Sequence, residues 1–188
     1  MDIIQESKNL AISEIEKFGL PALIHFEISE KKALELAEKL KADKKIVQIG
    51  IYLIDLKLGQ AFKEGKTSEH VQLSIKSAKE FLDRYEIDEP SKDKIINCIE
   101  AHHKDVPFTC LEAEICANAD CYRFIHPKGF FGFLTILGER NSNFFESLTT
   151  AENKMDEKYN ILSLGVCKQE LENHYQTLKN LISEARSF

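Results

Sequence analysis

Along most of the chain, apolar residues recur every three or four positions, the period of helices that bury one face. The first such stripe, Ile4, Ala11, Ile12, Ile15 and Phe18, stops at Gly19-Leu20-Pro21. A second, Ile24, Ile28, Leu36, Ala37 and Leu40, predicts a helix from about Pro21 to Leu40 with His25 in its opening turns. Asp43 to Leu58 differs in kind, because Ile46, Val47, Ile49, Ile51, Tyr52, Leu53 and Ile54 are apolar nearly all round, as a buried central helix requires. Asp55 closes that run, at a depth where an unpaired charge costs several kcal/mol.

Gly59 and Gly65 bracket a polar loop, after which Thr67 or Ser68 can cap a helix striped by Val71, Ile75, Ala78, Leu82 and Tyr85. His70 falls in its first turn. Pro90-Ser91 opens the next helix, whose inward Ile95, Ile96 and Ile99 are followed by His102 and His103 on or beside the same face. Thr109-Cys110-Leu111-Glu112 reads as a capping box ahead of Leu111, Ile115, Cys116 and Ala119, a short apolar face running into Asp120. Gly129 to Gly138 is an aromatic stretch that suits a helix or a short irregular turn, the helix being the expectation. Thr149-Thr150-Ala151-Glu152 reads as a second capping box, and Met155, Leu162, Cys167, Leu171, Tyr175, Leu178 and Ile182 continue helically, with a break at Gly165. No repeat or linker interrupts the pattern. The expectation is one all-α domain over residues 1–188, with about eight or nine helices, a core over about 20–127 and C-terminal helices over about 130–187 packed on it.

Composition agrees: 8 glycines and 4 prolines in 188 residues leave little turn-forming material. The net charge of −6 offers no basic field for counterion release, so a nucleic acid polymer is not expected as a partner. Five cysteines without a Cys-x-x-Cys pair suggest neither a disulfide framework nor a zinc ribbon, and a reducing cytoplasm fits them. The acidic start lacks a signal-peptide pattern and no apolar run is long enough to span a bilayer, so a soluble protein without membrane attachment is expected. The assembly state is left open, an oligomer included.

His25, Asp55, His70, Asp120 and one of His102 and His103 each stand at or near the end of a different helix, and such ends can converge on one divalent ion. Taken singly, each has a plainer explanation as a cap, a solvated edge or a satisfied core residue. Their order nevertheless resembles the HD superfamily of metal-dependent phosphohydrolases, through His25, Leu53-Ile54-Asp55, Glu69-His70-Val71, Ile99-Glu100-Ala101-His102-His103, and Ala117-Asn118-Ala119-Asp120 followed by Arg123. The resemblance spans most of the chain. It implies an all-α core holding one or two divalent ions (Mn, Fe, Ni, Zn or Mg), with a metal-activated water that hydrolyses a small phosphoester such as a nucleotide. Carried over residue by residue, it implies His25, Asp55 and Asp120 for a first ion and Asp55, His70 and His102 for a second, His102 being preferred to His103 by the family's spacing. Asp55 becomes the pivotal catalytic residue.

The chain departs from that pattern at Ile54, where the family has a histidine. Two outcomes follow: an ion held by the remaining ligands, or a catalytically impaired fold that binds a nucleotide or a protein as a sensor. If Ile54 is a lesion facing the site, a histidine there should strengthen ion binding. Arg123 and Lys128, shortly after Asp120, are candidates for binding a substrate phosphate, with solvated surface bases as the plain alternative.

Overall fold

The computed structural model describes residues 2–140 and 143–187, and these form ten α-helices with no strand among them. They are α1 (Ile3–Phe18), α2 (Leu23–Leu40), α3 (Lys44–Leu53), α4 (Leu58–Lys63), α5 (His70–Leu82), α6 (Glu89–Glu100), α7 (Leu111–Ile125), α8 (Pro127–Arg140), α9 (Phe144–Ile161) and α10 (Gly165–Ser187). The all-α class read from periodicity is the class observed, and nine of the helices answer to expected segments. The tenth, α4, occupies the supposed loop after Gly59. Gly59 is needed there because a Cβ would stand 2.6 Å from Phe18 Cβ, so the glycine marks a close crossing of α1 and α4.

The capping signals misled in detail. Asn143 caps α9 by accepting from the Glu146 N–H, and Thr149 lies inside that helix with its hydroxyl on the Phe145 carbonyl. Cys110 precedes α7 with no side-chain cap, and Glu112 reaches away to accept from the Asp43 N–H at 3.1 Å. Neither Thr67 nor Ser68 caps α5; together with Glu69 they form a short 3-10 turn leading into it. Asp2, Asp43 and Asp88 do cap α1, α3 and α6.

Helix α3 is buried on nearly every side, as its composition demands, but α7 is buried even more completely, with 13 of its 15 residues enclosed. It packs against α2, α3, α6, α8, α9 and α10. Its polar residues disguised this role. Asn118 Oδ1, for one, accepts from the Ser163 and Leu164 N–H groups at 3.1 Å, tying α7 to the junction of α9 and α10. Among the described residues, no helix is long and apolar enough to cross a membrane.

Candidate metal centre

The ends of α2, α3, α5 and α6 meet the middle of α7 and α9 around a cavity of about 290 Å³ whose walls include His25, Asp55, His70, His102, His103, Asp120, Arg123, Lys154 and Lys158. All five residues expected as ligands therefore line one space. Asp55 stands in the turn between α3 and α4, and His70 opens α5. His102 and His103 lie in the turn after α6 rather than on the helix itself. That turn is held by Asn97, which accepts from the Thr109 N–H at 2.8 Å and donates to the Pro107 carbonyl at 3.2 Å.

Two of the imidazoles are oriented as ligands. His70 Nδ1 lies 2.7 Å from the Thr67 carbonyl and His102 Nδ1 2.6 Å from the Ile99 carbonyl. A carbonyl only accepts, so each Nδ1 carries a proton and the neutral ring presents its Nε2 lone pair, the arrangement by which a backbone partner orients a metal-binding histidine. Those Nε2 atoms stand 3.5 and 3.6 Å from Asp55 Oδ1. His102 Nε2 is buried without a hydrogen-bond partner among the described residues. An orphaned buried nitrogen is costly unless something fills the position, and two imidazoles with one carboxylate are a donor set suited to Mn, Fe, Ni or Zn more than to Mg. The residues present therefore fit a divalent ion.

His103 adds a third imidazole, and the ligand-type nitrogens of His70, His102 and His103 lie within 4.8 Å of one another. Its role differs, since its Nε2 is 3.3 Å from His70 Nε2 and its Nδ1 is 3.4 Å from both Lys158 Nζ and Glu157 Oε1. The two Nε2 atoms face each other with room for one proton between them, so His103 is turned toward His70 rather than toward Asp55. Burial, only partly offset by Asp55, lowers the His102 pKa to about 3, so this ring is neutral at pH 7. For His70, burial is outweighed by the Asp55 hydrogen bond and charge, which raise its pKa.

The carboxylates divide their oxygens. Asp55 turns Oδ1 toward the imidazoles and Oδ2 toward Arg123 Nη1 at 2.6 Å, while the same Nη1 lies 2.6 Å from Asp120 Oδ1. Lys158 Nζ takes the other Asp120 oxygen at 2.7 Å. Burial pushes both carboxyls up, but for Asp55 the charge of Arg123, and for Asp120 those of Lys158 and Arg123, more than offset it and hold them below the ordinary range. His25 lines the same cavity but gives its Nε2 to the Gly129 carbonyl at 3.0 Å. Burial and the nearby Arg123 charge lower its pKa to about 4. Gly129 lets the start of α8 close on the end of α7: a Cβ there would stand 2.4 Å from the Arg123 carbonyl oxygen.

The three remaining candidates take different places. Arg123 lines the cavity, only 4% exposed and ion-paired with both carboxylates. Lys128 follows the break at His126, where the chain becomes extended, and lines a separate cleft with Tyr122, His126 and Glu170. Ile54 does not line the metal cavity; it borders a narrow void of about 10 Å³ with Ala11, Ile15 and Phe26, a void to which Asp55 and Arg123 also contribute. A histidine at 54 is thus not expected to add a ligand. The other cations that line the cavity, Arg140, Lys154 and Lys158, do not stand out in the sequence. Lysine at helical spacing reads as solvated, and only the carboxylate-rich cavity opposite could have flagged Lys158.

No family model matches the chain. Over 111 residues it is 39% identical to Ribonuclease Y of Finegoldia magna, a match covering 58% of this chain and 20% of that protein. The chain thus spans about a fifth of the length of the curated relative it matches. Bacillus subtilis YpgQ superposes over 100% of this chain and 97% of its own, with a TM-score of 0.65 at 15% identity. YpgQ in complex with ADP gives 0.66, again over 100% of this chain and at 15% identity. The chain has the all-α fold of YpgQ. At 15% identity the likeness concerns the path of the helices, including the ones whose ends form the cavity.

Proposed function

We propose that the chain is a member of the HD superfamily that hydrolyses a small phosphoester, a nucleotide in the first instance, with one divalent ion held by His70, His102 and Asp55. The observation that carries this reading is the aim of two anchored imidazoles and one carboxylate oxygen at a common position, with His102 Nε2 buried and without a hydrogen-bond partner among the described residues. The chemistry a divalent ion supplies is neutralisation of phosphate charge and a lowered pKa for water. The chain's own contribution is placement. Lys154 and Arg140 on the cavity wall offer cationic partners for phosphate oxygens, and Phe124, Phe133 and Leu137 give an apolar wall for the organic part of the substrate. Similarity to a protein named Ribonuclease Y, and to YpgQ, which was solved with ADP, supports phosphate chemistry on a nucleotide. The net charge of −6 favours a small substrate over a polymer.

The test is phosphate release from a nucleotide panel and a generic phosphomonoester, with an RNA oligomer alongside, by protein loaded with Mn, Fe, Ni or Zn and by protein treated with EDTA. Turnover that needs metal and disappears in Asp55→Asn is the expected result. Failure to bind any of these metals, or turnover indifferent to EDTA, overturns the reading. The resident charges of Arg123 and Lys158 on Asp55 and Asp120 favour one second reading, an HD-fold binding module. Bound metal and bound nucleotide without turnover would establish it.

A further inference from the structure

One cation of the cavity is supplied by the chain itself. Arg123 Nη1 sits 2.6 Å from Asp55 Oδ2 and 2.6 Å from Asp120 Oδ1, with His25 lining the same space. These are the three groups to which the family resemblance assigned a first ion, and here the two carboxylates hold a guanidinium. Asp55 is shared, with one oxygen on Arg123 and the other 3.5 and 3.6 Å from the Nε2 atoms of His70 and His102. We infer that Arg123 replaces one of two ions, so that the chain holds a single divalent ion, which Asp55 bridges to a guanidinium. This rests on the metal-dependent reading above.

Three observations argue that a second ion does not displace the arginine. A guanidinium stays protonated at any physiological pH, so it cannot become a ligand by losing a proton, as a lysine or histidine can. The side chain is only 4% exposed and lies 2.6 Å from both carboxylates, so moving it away would leave two buried carboxylates without their shared cation. Both Asp120 oxygens are already engaged, Oδ1 by Arg123 and Oδ2 by Lys158, whereas Asp55 keeps Oδ1 on the side of the imidazoles. A second divalent ion would find no carboxylate oxygen of Asp120 without a cation on it. Ile54 now has a meaning: hydrocarbon stands beside a cation that needs no further ligand.

The test is Mn(II) loading of the full chain, read by elemental analysis and by electron paramagnetic resonance. Saturation near one equivalent, with the six-line signal of an isolated Mn(II), is expected. Uptake of two equivalents, or a spectrum of coupled Mn(II) pairs, overturns the inference and leaves the metal-dependent reading standing. No uptake of Mn, Fe, Ni or Zn overturns both. Arg123→Ala is expected to accept a second Mn(II) and to regain with Mn(II) the thermal stability it loses in EDTA. Arg123→Lys should stay at one equivalent. A folded Arg123→Ala that still saturates at one equivalent shows that Arg123 is not what excludes the second ion, and the wild-type titration decides the matter if Arg123→Ala does not fold.

Discussion

Lys158→Met is the substitution that most directly tests how the charges of the cavity are balanced. Lys158 is 1% exposed, among the largest fully buried side chains, and its ammonium lies 2.7 Å from Asp120 Oδ2. Methionine keeps the length of the stem and removes the charge. Breaking a buried ion pair by deleting one partner costs about 3–5 kcal/mol, because the other charge is left desolvated and unmatched. Asp120 retains Arg123 at 2.6 Å, which places the cost near the lower end, about 3 kcal/mol. For a chain of this size about 2–4 °C of melting temperature is lost per kcal/mol, so a drop of roughly 6–12 °C is expected. Urea unfolding in EDTA, followed by circular dichroism, measures it without interference from bound metal. The double variant Lys158→Met/Asp120→Asn, which removes both charges, should recover part of the loss, and the coupling between the two sites should exceed about 1 kcal/mol. A single variant within about 0.5 kcal/mol of wild type, or a double variant showing purely additive losses, would refute the claim that Asp120 depends on a buried ammonium.

Other expectations follow from the same geometry. His102→Ala should weaken Mn(II) binding about 100-fold by titration calorimetry and His103→Ala only about tenfold, because His103 Nε2 faces His70 rather than Asp55; the reverse order would overturn the ligand assignment. Ile54→His should lose about 1–3 kcal/mol equally in EDTA and in Mn(II), since the new imidazole enters a void of about 10 Å³ rather than the cavity, and tighter Mn(II) binding would contradict this. Burial raises the Glu112 pKa, but the Asp43 N–H and Lys94 lower it further, leaving it below its ordinary value. Its stabilising contribution is therefore complete above that ordinary value and lost as pH falls through the folded one. Glu112→Gln should cost about 1–2 kcal/mol at pH 7 and flatten the acid limb of the stability profile; an unchanged limb would refute the assignment.

The helices were legible because apolar periodicity is a local property of the chain, and α5 is the plainest case, with Ala78 and Leu82 of its expected stripe fully buried. Helix α4 was not, because six residues are too few to show a period and Gly59, read as a loop signal, in fact serves the crossing with Phe18. The cap errors share a cause. A threonine three residues before a glutamate is a frequent pattern, and whether it starts a helix depends on what precedes it; at Thr149 an earlier cap, Asn143, had already done so. The convergence of His25, Asp55, His70, His102 and Asp120 on one cavity was readable because each sits near a helix end or beside an apolar stripe, which fixes depth and direction together.

What remained hidden was the balance of charge. Which carboxylate is free to hold an ion depends on which cation already occupies it, and such partners are distant in sequence: Lys158 belongs to α9 and Asp120 to α7. A lysine among Lys154, Met155 and Glu157 reads as surface, and only the three-dimensional position of Asp120 draws it inside. Arg123 lies three residues from Asp120 and was noticed for its charge, but proximity along a helix could not tell whether that charge faced a substrate or the carboxylates. The structure turns it to the carboxylates. That orientation changes the chemistry attributed to the cavity more than the loss of the histidine at 54 does, because an added or missing ligand alters the affinity of one site, whereas a buried guanidinium across Asp55 and Asp120 removes a site altogether.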